Sequence, residues 1–204
     1  MKGKLVQIVT PKGEAFYPCL RTTEKFENVD TGKYSCQIKL SDADTKALIR
    51  RLEEEWEQAK ESPDFAGKNY KRGTEPALGY RETKDGEIVF KAKTNAEAKS
   101  KAGEVFKKTV PVLDTRGKHI KADVGHGSII KMSMSVAPYY MNSTNYGLSL
   151  YLNGVMVYDL KEKSFGQDAS SLGFSTDEEG YVERDEDSEM FDAPALSAEV
   201  DGEF

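Results

Sequence analysis

Up to about residue 165, apolar and polar positions alternate mainly with a two-residue period, which predicts a β protein. Lys4 to Thr10 (KLVQIVT) and Ala15 to Leu20 (AFYPCL) read as strands separated by the turn Pro11-Lys12-Gly13-Glu14. In Lys33 to Leu40, Tyr34, Cys36, Ile38 and Leu40 fall on one side and Lys33, Ser35, Gln37 and Lys39 on the other. One face is therefore expected in the core and the other in water. Glu87 to Lys93 follows the same rule, with Ile88, Phe90 and Ala92 opposite Val89, Lys91 and Lys93. Thr109 to Asp114 is a further strand, placed at a sheet edge by Pro111, which lacks a backbone donor. Ser128 to Val136 and Tyr146 to Leu160 complete the set, with Gly154 marking a bulge or bend.

The period changes to 3.6 residues only once. Ser41 to Glu61 places Ala47, Leu48, Leu52, Trp56 and Ala59 on one stripe behind a Ser41 or Asp42 cap, the signature of an amphipathic helix. Residues 62–86, rich in Gly, Pro, Lys and Asp, predict a long loop carrying Lys68, Lys71, Arg72 and Arg81. The Ala/Lys-rich piece from Ala96 to Gly103 reads as helical or loose. Six or seven strands with one inserted helix are most economically closed into a small barrel, which removes sheet edges.

Charge divides the chain more sharply than its net value of −6 suggests. Residues 177–204 hold twelve carboxylates against the single base Arg184, a net −11 that leaves +5 for the remainder. With so little apolar content, residues 166–204 are expected to form a flexible acidic tail on a body spanning 1–165. The tail ends Asp201-Gly202-Glu203-Phe204, and a purely solubilising segment has no use for a terminal aromatic ring. No stretch approaches the roughly 20 apolar residues that a membrane helix needs. Cys19 and Cys36 form no CxxC pair, so neither a disulfide framework nor a zinc ribbon is expected. His119 and His126, with Asp114 and Asp123 nearby, lack compact metal-ligand spacing. Phosphate-loop and nucleophile-elbow motifs are missing, and no cofactor is expected.

Lysines beside rings or small polar residues recur on the polar strand faces: Lys33 and Lys39, Lys91 and Lys93, Lys131 and Ser133, Ser149 and Tyr151. Tyr139 and Tyr140 follow Pro138 at a strand end. Cations for phosphates and flat rings for unstacked bases are the two requirements of single-stranded nucleic acid. Tyr139, Tyr140 and Tyr151 are thus candidate base platforms, and Lys33, Lys91, Lys93, Lys131, Arg116 and Lys118 candidate phosphate contacts. Residues 177–204 at −11, tethered to a remainder at +5, would compete for the same groove.

Several segments also resemble, in order, the single-stranded DNA-binding proteins of short-tailed bacteriophages. They are Gly32-Lys33-Tyr34 opening a strand that leads into the helix, Phe90-Lys91-Ala92-Lys93, Asp114-Thr115-Arg116-Gly117-Lys118, and Gly127-Ser128 opening a strand that ends Val136-Ala137-Pro138-Tyr139. The closing Asp201-Gly202-Glu203-Phe204 is similar to that family's acidic, Phe-terminated end. The resemblance implies a mainly β OB-fold, a five-stranded Greek-key barrel with extra strands and one inserted helix. It implies DNA binding without sequence preference, dimerisation, and action in the cytoplasm of an infected bacterium, away from membranes. It further implies that Asp201, Glu203 and Phe204 contact the DNA polymerase and primase-helicase. Lys93 and Tyr139 are its implied DNA contacts, with basic residues near Lys2 or Lys4 and in the 68–72 loop, Lys71 and Arg72 among them, as helpers. Tyr34 and Lys39 complete the candidate set. Thr31 departs from the basic residue that the family can carry before Gly-x-Tyr, which shifts that contact to Lys33. Two rival readings stand beside this one: a protein-interaction or virion-associated β module, and a metal-dependent nuclease.

Overall fold

The structure, a computed structural model, describes residues 5–100 and 103–161. Their strands are β1 (Val6–Val9), β2 (Gly13–Cys19), β3 (Lys25–Phe26), β4 (Val29–Asp30), β5 (Lys33–Lys39), β6 (Tyr80–Glu82), β7 (Ile88–Asn95), β8 (Glu97–Lys99), β9 (Val105–Lys107), β10 (Val112–Leu113), β11 (Ile129–Asn142) and β12 (Asn145–Asp159). A single helix, α1 (Asp42–Glu61), lies between β5 and β6. Among the described residues twelve strands stand where six or seven were expected, and the extra ones are all two or three residues long. Such short pieces cannot establish a hydrophobic period.

Five strands close on themselves. β2 pairs with β5, β5 with β7, β7 with β12, β12 with β11, and β11 returns to β2 through Ile129–Glu14 and Ile130–Gly13. The β7–β12 contact is parallel and the others antiparallel. This is the partly open five-stranded barrel of an OB-fold. β1 and β10 extend the sheet outward, and β6 adds to β7. Ala15, Cys36, Ile38, Phe90, Ala92, Ile130, Met132 and Met134 are wholly buried in its centre. Gly154 sits where the β11–β12 register slips, between Ser133 and Met134, as the expected bulge. β10 is an edge strand, and Pro111 contributes only its carbonyl, which accepts from Val155 N–H at 2.9 Å.

Several expectations need correction. Within the piece expected to be helical or loose, Glu97–Lys99 is a strand: β8 pairs with β9 as a ribbon with Glu97 opposite Lys107. β11 does not stop at Val136 but runs through Pro138 to Asn142. Beyond Val136, β1 no longer pairs with β11, so the missing Pro138 donor faces no strand. The polar face of β5 is not in water either, since Ser35 and Gln37 are buried.

α1 begins at Ser41, whose hydroxyl accepts from Asp44 N–H at 3.2 Å, with Asp42 and Asp44 in the favourable first turn. Leu48, Leu52 and Trp56, one turn apart, are buried. Trp56 stacks on Tyr146 at 5.7 Å between centroids, and Tyr70 and Phe65 meet it edge-on. This cluster ties the helix and the following chain to the start of β12. The chain at Ala77 then pairs with β12: Ala77 N–H donates to the Tyr146 carbonyl and Leu148 N–H to the Ala77 carbonyl, at 3.0 and 2.8 Å. Gly147 allows that approach, because its φ is +145° and a Cβ there would stand 2.0 Å from the Ala77 oxygen. Gly147→Ala is therefore expected to destabilise the fold by roughly 3 kcal/mol or more, read as a lower denaturation midpoint with an unchanged m-value.

Candidate nucleic-acid interface

The outer face of β5, β7 and β12 carries the polar half of each alternating pattern. Register sets Lys93 opposite Ser35 on one side and Tyr151 on the other, and Lys91 opposite Gln37. An ammonium and a half-exposed ring thus stand side by side for a geometric reason: they are neighbours on adjacent strands. Above them opens a trough of about 620 Å³, lined by Lys33, Arg81, Lys91 and Lys93 together with Tyr80, Tyr139 and Tyr151. Leu148, Ser149 and Leu150 of β12 line it too, and Ala77 and Gly79 belong to the segment held against that strand. Its lining includes no carboxylate. A second groove of about 490 Å³ shares Lys33, Lys93 and Tyr151 with the first and adds Lys99 and Lys108, with Glu97 its one acid. The lysines that alternation placed on separate strands therefore form one continuous cationic channel.

The channel's charges are held in place. Arg81 donates to Gln37 Oε1 at 2.9 Å, which tethers a guanidinium that lines the trough. Glu24 lies behind Lys91 and Lys93. Its backbone N–H donates to the Lys33 carbonyl, and its carbonyl accepts from Thr31, which fixes the backbone that carries the carboxylate. Oε1 pairs with Lys91, while Oε2 lies 3.6 Å from Lys93 Nζ and is buried without a hydrogen bond. Burial works to raise the Glu24 pKa, but the hydrogen bond and charge of Lys91, aided by Lys93, outweigh it and hold the carboxyl below its ordinary range. Lys93 is pushed below the usual lysine range, first by burial and then by repulsion from Lys91, with Glu24 opposing. A phosphate arriving at Lys93 would relieve that repulsion.

Of the sequence candidates, Lys33, Lys91, Lys93, Tyr139 and Tyr151 come together in the trough. Tyr34 packs partly on the core and lines an adjoining groove with Arg21, Lys25 and Lys107. Lys39 is ion-paired to Glu87 and lines neither part of the channel. Lys71 and Arg72 are exposed, and the Lys71 N–H is fixed to the Ser143 carbonyl at 2.9 Å. Arg116 and Lys118 flank a turn whose backbone N–H groups both bond to Asp114 Oδ1. Lys131 lies over the Tyr158 ring at 5.6 Å, with Lys12 at 4.2 Å from the same ring, away from the channel lining. Tyr140 is engaged in packing: it stacks on Tyr146, meets Tyr70 edge-on, and donates its hydroxyl to the Asn69 carbonyl at 2.8 Å. His126 stacks on Tyr17 at 5.1 Å. Asp201, Glu203 and Phe204, like Lys2 and Lys4, lie outside the described residues.

Glu24, Tyr80, Lys99 and Lys108 were not among the sequence candidates, and Arg81 was noted only as part of a loop. Each sits in a short strand or connection whose pairing is invisible to periodicity. Only the Ala/Lys-rich piece from Ala96 to Gly103 hinted at one of them, Lys99.

The family model described as the single-stranded DNA-binding protein of bacteriophage T7 matches residues 20–160. No curated protein matches the sequence. Among solved structures, gp2.5, a single-stranded DNA-binding protein encoded by bacteriophage T7, superposes with a TM-score of 0.62 at 22% identity, over 89% of this chain and 100% of that one. The single-stranded DNA-binding protein of bacteriophage Enc34 superposes with a TM-score of 0.54 at 14% identity, over 82% and 89%. The same Enc34 protein in complex with single-stranded DNA gives 0.52 at 16% identity, over 78% and 89%.

Replacing Glu24 with Gln removes the counter-charge while keeping the side-chain volume. Several-fold tighter binding of a flexible polyanion at low salt is expected, with the slope of log K against log salt steeper by up to about one. A salt titration followed by fluorescence anisotropy measures both, and unchanged affinity would mean that Glu24 does not screen the lysine pair.

Proposed function

We infer the function from one premise: this chain belongs to the family of the bacteriophage T7 single-stranded DNA-binding protein. The chain binds single-stranded DNA without sequence preference and does no chemistry on it. The observation that carries this reading is the pairing of Lys93 with Tyr151 across β7 and β12, at the centre of a channel with cations and rings along its length. Bases stack on Tyr139 and Tyr151, a tolerant mode because every base has a flat face. Phosphates lie along Lys33, Arg81, Lys91 and Lys93. Hydrogen bonds directed at base edges are not required, so sequence is not read.

In this proposal the protein coats single strands during phage DNA replication, recombination and repair inside the infected bacterium. Residues 177–204, with a net charge of −11, are a tethered competitor that occupies the channel until DNA displaces it. Once displaced, Asp201, Glu203 and Phe204 are free to recruit the DNA polymerase and primase-helicase. Dimerisation belongs to the same expectation. The charge asymmetry of the chain supports the competition step, since residues 1–176 at +5 and residues 177–204 at −11 attract each other at low salt.

Oligothymidylate titrations test these roles. Tyr139→Ala is expected to weaken binding roughly tenfold or more with an unchanged salt slope, whereas Lys93→Ala should reduce the slope by about one. Identical behaviour of the two variants would refute the division between base and phosphate contacts. Removing residues 177–204 is expected to tighten binding most at low salt, and equal affinity of the shortened and full chains there would sink the competition step. Absence of any complex with single-stranded DNA would instead favour a protein-interaction module, and magnesium-dependent loss of the oligonucleotide would favour a nuclease.

A further inference from the structure

β6 lies off the closed ring of five strands, and its three residues are all exposed. It nevertheless delivers one side chain to the middle of the outer face. Arg81 stands opposite Val89 of β7, and Gln37 of β5 stands opposite Lys91. The 2.9 Å bond from Arg81 to Gln37 Oε1 therefore reaches from β6 to β5 across the width of β7, between Val89 and Lys91. Val89 shares that outer face with Lys91 and Lys93 yet is wholly buried, which fits a residue lying beneath an arginine stem. Gln37, also on the outer face, is 5% exposed. A buried amide needs a hydrogen-bond partner, and the guanidinium supplies one.

Cations of the trough are held in two different ways. Lys91 and Lys93 share the Glu24 carboxylate, which fixes them and cancels part of their charge. Arg81 is held by a neutral carbonyl oxygen and forms no ion pair among the described residues. A guanidinium carries several N–H donors and Gln37 engages one of its nitrogens, so others remain for the trough that Arg81 lines. We propose that Gln37 is a positioning residue for phosphate: without touching the polynucleotide, it fixes the Arg81 guanidinium over β7, at full charge, before a strand arrives. The assignment rests on the reading of the trough as a single-strand site and names what sets one phosphate subsite within it. An arginine that must be ordered on binding loses roughly three- to tenfold in affinity, and one already laid across the sheet is spared that loss. The chemistry of the acceptor matters as much as its place. A carboxylate at position 37 would hold Arg81 more strongly but would neutralise the charge that attracts phosphate, as Glu24 does beside Lys91.

A double-mutant cycle on the full chain tests the assignment, with oligothymidylate affinity read by anisotropy over a range of salt and folding read from denaturation midpoints. Arg81→Ala should lower the slope of log K against log salt by about one. Gln37→Met keeps the volume and removes the carbonyl, so binding should weaken roughly three- to tenfold while the slope stays that of the parent, because the charge is still present. In the Arg81→Ala background the same Gln37→Met change should cost nothing further, since the group it positions is gone. Gln37→Glu should lower the slope by about one, as Arg81→Ala does, by pairing the guanidinium. An equal loss from Gln37→Met with and without Arg81 overturns the proposal, because Gln37 would then act on the barrel and not through the arginine. Unchanged affinity of Gln37→Met overturns it as well. Should Gln37→Met fail to fold, Gln37→Glu decides: a reduced slope supports the positioning role and an unchanged slope refutes it. If Lys93→Ala lowers the slope while Arg81→Ala alters neither slope nor affinity, the positioning role falls and the trough stands. If the parent binds no oligomer at all, both fall.

Discussion

Closure of five strands around one apolar core is the constraint from which the interface follows. To close, β11 must pair with β12 along nearly its whole length and still reach β2 at Ile129 and Ile130. That geometry commits one side of β5, β7 and β12 to the core and turns the other outward together. Once Cys36, Ile38, Phe90 and Ala92 are inside, Lys91 and Lys93 have no choice of face. The parallel contact of β7 with β12 then brings Tyr151 beside Lys93. The channel is a by-product of burying the core, which is why it needs no dedicated loop to exist.

What dedicated chain there is serves to shape and moderate the channel. The Trp56–Tyr146–Tyr140–Tyr70 cluster and the backbone bonds at Ala77 press the 62–79 segment onto β12 and raise a wall beside Tyr139. On the opposite side the chain between β2 and β5 folds Glu24 back onto the lysine pair. A run of like charges on one sheet face costs stability through mutual repulsion, and at Lys93 the repulsion from Lys91 adds to burial in lowering the pKa. Glu24 offsets part of that repulsion, and the same neutralisation weakens the attraction for phosphate. A stronger polyanion site on this barrel would therefore be a less stable barrel, and the buried, unbonded Oε2 marks where the compromise is struck.

The long, regularly alternating segments disclosed their structure without help. Lys33–Lys39, Ile88–Asn95, Asn145–Asp159 and the helix Asp42–Glu61 lie where their periods predicted, and β11 begins where its period did before running on past Val136, because each buries one face and a slip of one residue would expose the whole core set. The division of charge between body and tail is likewise written in residue types alone. So are the lysines and rings at Lys33, Lys91, Lys93, Tyr139 and Tyr151 that the trough assembles.

Which cations are available was decided only in three dimensions. Lys39 and Lys91 look alike in sequence, but one is spent on Glu87 outside the channel and the other shares Glu24 within it. Tyr139 and Tyr140 are adjacent, and strand geometry sends one to the trough and the other into the aromatic cluster. The ribbon of β8 and β9, the strand β6 that delivers Arg81, and the return of Glu24 depend on pairings between residues far apart along the chain. Local composition determines which face of a strand turns away from the core. Which charges meet on that face depends on what the closed barrel brings alongside, and no local pattern encodes it.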